Sequence, residues 1–315
     1  MKPSFRNRVL LEQHRRIAMD DPAILTAPVT NIVFDASKDL SNAWIGEATG
    51  KIGDWRSVAR STYMRWGLII NAAHVSETHY QALPEGRGLA INVTRENGDG
   101  PIQTPLKTWT GGQAAQAYRQ IIPTIASYAV ADLYGVLEEI VFDAWEILRR
   151  HKPEALIKGP ENRELRRLFA HQQDSEKAVE AWQQAWAERF DAWRRKKTYE
   201  PLHRVFVAFY NEAGLKRPSY FTHTDVKDWA GTIETIAEMR HLFTHGEGRV
   251  NARLAQLTAD NPGLGWTFTE GEDLIITLQH LQAVEYFINQ LLMAINVSLW
   301  EKGSGRSMKK DLEIS

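Results

Sequence analysis

Apolar residues recur with helical periodicity over most of the chain. The longest such run, about Gly112 to Arg150, puts Ile121, Ile125, Tyr128, Ala129, Leu133, Val136, Leu137, Ile140, Val141, Trp145 and Leu148 on one broad stripe, the pattern of a single long helix. Pro123 is expected near its start or at a kink, because a proline inside a helix removes one N–H donor. Arg149, Arg150 and His151 suit the C-terminal end of the dipole, and Pro153 ends the helix. A second helical pattern runs from Trp55 to about Tyr80, with Val58, Thr62, Trp66, Ile69, Ile70 and Ala73 near one face. Further helices are predicted to about Lys197 after an Asp174-Ser175 cap, over Leu202–Ala213, from a Thr224 or Asp225 cap to His245, and over about Gln279 to Trp300.

Period-two patterning is confined to short stretches. Leu89 to Val93 alternates enough for a strand, and Asn97-Gly98-Asp99-Gly100 signals a turn. Gly265–Thr269 and Leu274–Leu278 alternate on either side of Glu270-Gly271-Glu272-Asp273, which predicts a β-hairpin near the C-terminus. Ile32-Val33-Phe34 is too short to type. Residues 1–30 begin basic and polar, with a short helix stopped at Asp20-Asp21-Pro22. The fold class is therefore mostly α. Residues 1–107 form an N-terminal extension or small domain of uncertain fold, either separate or packed as extra helices on the rest. A helical domain spans 108–300, with a charged, tryptophan-rich insertion at about 154–200. The tail 301–315, rich in Gly, Ser and Lys, is expected to be disordered.

Composition narrows the chemistry. At 315 residues the chain suits one large or two medium domains. Its net charge of −1 gives no overall pull toward nucleic acid, so any such contact needs a local patch. There is no cysteine, which excludes disulfides, thiol catalysis and Cys-ligated metals. The N-terminus lacks the apolar core of a signal peptide, and no run approaches the ~20 apolar residues of a membrane span, so a soluble, cytoplasmic protein without a membrane partner is expected. Within the insertion, Trp182, Trp186, Phe190 and Trp193 recur at helical spacing beside Arg194-Arg195-Lys196-Lys197. Such a stripe packs on a core or offers bases a stacking platform beside a phosphate-binding cluster, and packing is the favoured reading.

The densest chemistry lies in Met239-Arg240-His241-Leu242-Phe243-Thr244-His245-Gly246-Glu247-Gly248, where an arginine and two histidines fill the last turns of an apolar helix that stops on glycines. Arginine offers a fixed fork of donors to phosphoryl oxygens, and histidine moves protons near neutrality. RNA supplies its own nucleophile in the 2′-hydroxyl, so a protein that transfers protons and stabilises the phosphorane charge cleaves it without metal. Around an ideal helix Arg240 and His245 stand about 140° apart, so the pair is not stacked on one face.

Arg240-x4-His245, with the polar His241 straight after the arginine and Gly248 and Val250 beyond, resembles the signature of the HEPN domains (higher eukaryotes and prokaryotes nucleotide-binding) over roughly residues 110–300. Arg8/His14, Arg166/His171 and Arg217/His223 fit the same loose spacing but lack the amphipathic lead-in and the glycine stop. Leu133 to Glu139 is similar to the early helix of that family, which often carries an acidic residue. The resemblance implies a helical bundle, a homodimer with a composite active site, and a metal-independent endoribonuclease without cofactor, of bacterial toxin or antiphage type, with an antitoxin or regulatory partner. Arg240 and His245 would be catalytic, supported by His241, Thr244, Glu138 and Glu139. Apart from the resemblance, Arg194, Arg195, Lys196 and Lys197 are candidate RNA contacts as a basic run beside the aromatic stripe. The rival expectation is a non-catalytic HEPN-like module binding nucleic acid, nucleotide or protein. A metal reading would rest on His241 and His245, at i and i+4 on one helix face, or on Glu238-x-x-His241 with Glu200-x-x-His203, but Pro201 puts Glu200 at or before a helix start, and Leu242 breaks the zinc-protease pattern.

Overall fold

The computed structural model describes residues 17–18, 32–37, 39–98 and 100–309. Most of the expected N-terminal helix and the last part of the tail, 310–315, lie outside the described residues. The described chain is mostly α-helical. Its first long helix, α1, runs Ala43–Gln81. It begins well before Trp55, because Trp44, Ile45, Ala48 and Ile52 are also buried. Gly46 dilutes the helical pattern there for a packing reason. A Cβ on Gly46 would lie 3.2 Å from both the Ala36 Cβ and the Phe34 carbonyl oxygen.

Two strands follow, β3 (Gly88–Asn97) and β4 (Gly100–Thr110), after the two-residue strands β1 (Ile17–Ala18) and β2 (Ile32–Val33). β3 and β4 pair antiparallel from Gly88↔Thr110 to Asn97↔Gly100, with a bulge where Ile91 faces Lys107 and Asn92 faces Pro105. Pro101 and Pro105 hide β4 in the sequence. In a two-stranded ribbon both strands are edges, so the missing N–H groups are tolerated. Residue 107, the expected boundary, lies inside β4, and α1 shares the main apolar core with helices that follow β4.

Helix α2 spans Gly111–His151, capped by Thr110, whose hydroxyl accepts from the Gln113 N–H while the Gln113 side chain accepts from the Thr110 N–H. Pro123 lies inside it, and the Ser127 hydroxyl donates to the Pro123 carbonyl at 2.8 Å. Pro123→Ala restores a backbone donor and is expected to stabilise the fold by about 1–3 kcal/mol. A thermal unfolding midpoint that fell instead would mean that the proline's bend is needed to dock α2.

The remaining helices are α3 (Arg163–Ala170), α4 (Glu176–Lys197), α5 (Leu202–Ala213), α6 (Val226–Thr244), α7 (Ala252–Asp260) and α8 (Leu278–Ser304). Side chains of α1, α2, α5, α6 and α8 make the main core, including Trp145, Phe206, Phe209, Ile236 and Leu292. The insertion has a cluster of its own, in which Leu156, Ile157, Trp182, Trp186 and Phe190 pack with Leu165, Leu168 and Phe169. Trp193 touches both clusters. The aromatic stripe of α4 is thus packing, and its rings are not a platform open to bases.

Two expectations are corrected. Residues 265–278 form no hairpin. Trp266 and Ile276 are buried against the core, and the turn at 270–273 bonds to the segment after α6, with Val250 N–H donating to Glu272 and Leu274 N–H to Gly248, both at 2.9 Å. Alternation there reflects one-sided burial, and the antiparallel pair is β3–β4. Residues 301–309 are ordered rather than loose. Glu301 accepts from the Ser219 N–H and hydroxyl and from the Met308 N–H, and Met308 is buried with Ile32, Val297 and Trp300. Among the described residues no helix is long and apolar enough to cross a membrane.

Candidate active site

Helix α6 carries the motif, and both of its ends are well defined. Asp225 caps its start by accepting from the Lys227 and Asp228 N–H groups, while the Asp228 carboxylate accepts from the Asp225 N–H. At its other end Gly246, with φ of 73°, turns the chain so that the Gly246 N–H reaches the Phe243 carbonyl and the Glu247 N–H reaches the Leu242 carbonyl. A side chain at Gly246 would be strained in that conformation. His245 is the C-cap, and its own N–H donates to the His241 carbonyl.

Trp229, Ala230, Ile233, Ile236, Met239 and Leu242 face the core. Arg240, His241, Thr244 and His245 are all exposed. They share the solvent-facing arc of the last turns, spanning about 140°. The His241 and His245 rings stand 4.4 Å apart at 52°. The Thr244 hydroxyl donates back to the Arg240 and His241 carbonyls at 2.9 and 3.1 Å, which tightens the last turn.

Two side chains seat this end of α6 on α2. The Arg240 guanidinium lies 5.1 Å from the Tyr134 ring centre, and Phe243 meets Tyr128 edge to face at 4.9 Å. Tyr134 was not singled out from the sequence. Its signal is that it stands one helical turn before Glu138, on the same stripe of α2. Glu138 is half-buried. Burial holds its carboxyl above the usual range, and the positive charges of Arg240 and Arg194 oppose that. Burial, helped by the Glu138 charge, pushes the Tyr134 phenol up to about 12. Glu139 is turned about 100° from this stripe.

Of the basic cluster at the end of α4, the structure brings only Arg194 to α2, with its guanidinium 5.3 Å from the Phe142 ring centre. Lys197 is paired with Glu200 at 2.7 Å, and Arg195 and Lys196 are exposed. Of the other Arg–His spacings, Arg166/His171 has a local explanation. Arg166 donates to the Ile157 and Gly159 carbonyls, and His171 pairs with Asp174 at 2.9 Å.

Of the candidate metal ligands, Glu238 and His203 have other partners, while His241 and His245 stay exposed beside each other. Glu238 accepts from Asn251 at 2.8 Å and faces Arg253 at 3.5 Å, and His203 faces Glu234 at 3.9 Å. Among the described residues no group of three or more His, Asp or Glu side chains could hold an ion. What the site offers is two accessible imidazoles and a guanidinium at one helix end, suited to moving protons beside an anion. Among the described residues, no ion pair within 4.0 Å ties that guanidinium to a carboxylate. Comparison of the chain with family models, with curated proteins and with solved structures finds no match to any of them.

Proposed function

We propose that this protein is a metal-independent endoribonuclease of HEPN type, with His245 transferring a proton and Arg240 holding the scissile phosphate. The observation that carries this is the placement of Arg240, His241 and His245 together on the open arc of α6. A core role for the arginine would have buried it. In the reaction the 2′-oxygen bonds to phosphorus as its proton leaves to a base, the phosphorus–5′-oxygen bond breaks, and the 5′-oxygen takes a proton from an acid. Atoms and charge balance with no added reactant, and the products are a 2′,3′-cyclic phosphate and a 5′-hydroxyl.

The 140° between Arg240 and His245 is the weak point of a one-chain site. A two-fold dimer that sets two copies of α6 in one cleft closes it, with Arg240 of one protomer serving His245 of its partner. On this reading a toxin or antiphage role follows, with a neutralising partner covering the same arc.

One observation favours the rival, a non-catalytic binding module. The Arg240 guanidinium lies against Tyr134 on α2, so part of its surface is already committed to packing.

The deciding experiment incubates purified protein with total RNA in excess EDTA and identifies the ends of any fragments. Cleavage that leaves 2′,3′-cyclic phosphates is the expected result. Intact RNA from a protein shown to be dimeric would move the assignment to the binding module.

A further inference from the structure

Helix α2 presents Tyr134, Glu138 and Phe142 at four-residue intervals, hence on one face. Two guanidiniums from two other helices cover the aromatic ends of this stripe. Arg240 of α6 sits 5.1 Å from the Tyr134 ring and Arg194 of α4 sits 5.3 Å from the Phe142 ring. Those ring positions are about 12 Å apart along the helix axis, with Glu138 between them. The result is a line of two cations with the Glu138 carboxylate between them, and Glu146, one turn beyond Phe142, also feels the Arg194 charge.

Stacking on a ring covers one face of a guanidinium but leaves its in-plane N–H groups free to fork onto phosphoryl oxygens. It also restricts the side chain, so less freedom is lost when a phosphate binds. The sequence does not show that Arg194 and Arg240 reach the same stripe of α2. The packing of Trp193 against Trp145 and Phe142 swings the end of α4 onto α2 and brings Arg194 with it.

From this geometry we infer that Arg194 holds a second phosphate of the same RNA strand, beside the one that Arg240 clamps. The site is then a short phosphate track along α2, with Glu138 as the internal counter-charge when no strand is bound. This subsite rests on the ribonuclease reading above. It singles out Arg194 from its basic neighbours, because Lys197 is engaged by Glu200 and Arg195 is turned about 100° around α4 from Arg194.

The test uses deoxyoligonucleotides with a single ribonucleotide, which fixes the cleaved bond. One substrate is a dinucleotide whose only phosphate is the scissile one. The others add one nucleotide on the 5′ or the 3′ side. Arg194→Ala and Arg194→Gln are expected to lower kcat/KM on one extended substrate about tenfold more than on the dinucleotide, the scale of one charge-assisted phosphate contact. Arg240→Ala should lower all three alike. Thermal unfolding of each variant reports any loss from the Phe142 contact. Equal losses on all substrates, or none, would overturn the subsite while leaving the nuclease standing. Wild-type protein that cleaves none of them, nor total RNA, would remove the ribonuclease reading and the subsite with it.

Discussion

RNA cleavage is expected to fall by about 10²- to 10⁴-fold when His245 is replaced by alanine, the usual share of a general acid or base. Stability should hardly change. His245 is exposed, its backbone bond to the His241 carbonyl does not involve the ring, and its φ of −92° is open to alanine. The same fold with lost cleavage separates catalysis from scaffolding, which a buried residue could not do. Arg240→Ala should cost about 10²- to 10³-fold by removing donors to the phosphorane oxygens. It also uncovers the Tyr134 ring, so a small loss of stability is expected alongside. If the site is composite, mixing the two inactive variants should restore part of the activity, because some mixed dimers keep one intact Arg240–His245 pair. Recovery absent from a mixture shown to exchange subunits would place both residues of a working site on one chain. Cleavage that survives His245→Ala would assign the chemistry elsewhere.

How much of this was legible in the sequence depended on whether a residue's role is local. Helix α6 was readable end to end because its signals are neighbours in the chain: Asp225 as the cap, an apolar stripe, and Gly246 as the stop. The exposure of Arg240, His241 and His245 is a finding of the structure, and the angle they make with Leu242 and Met239 accounts for it. What stayed hidden came from distant packing. The seating of Arg240 on Tyr134 and of Arg194 on Phe142 depends on how three helices meet. β4 was masked by Pro101 and Pro105, which read as breakers although a two-stranded ribbon accepts them. The supposed hairpin at 265–278 failed for the opposite reason. Alternation records which residues face the core, and Trp266 and Ile276 satisfy it by burial without a partner strand. The ordering of residues 301–309 turned on Glu301 and Met308, whose partners Ser219 and Ile32 are remote in sequence.

The largest loss of stability is expected from Trp145→Ala, at about 3–5 kcal/mol. This ring is 1% exposed. It stands where α2, α4 and α5 meet, 5.1 Å from Trp193 and 5.8 Å from Phe209, with its indole N–H donating to the Val205 carbonyl at 3.2 Å. The Arg149 guanidinium, itself paired with Glu212, covers it at 4.7 Å. No neighbour can collapse into the gap without moving a helix, so the cavity should persist. Trp145→Phe keeps most of the apolar contact, loses the indole donor, and should cost about 1–2 kcal/mol. Urea unfolding measures both. The position matters for function because Trp193 is the link between the insertion's own cluster and the main core. Loosening Trp145 therefore frees the end of α4 and withdraws Arg194 from Phe142. Protease nicking confined to 154–200 in Trp145→Ala, at urea concentrations where the rest is folded, would show the insertion to be a separate cooperative unit that Trp145 docks. A single transition lost by the whole chain together would mean that the phosphate track and the core fold as one, and that Arg194 cannot be withdrawn without unfolding the site.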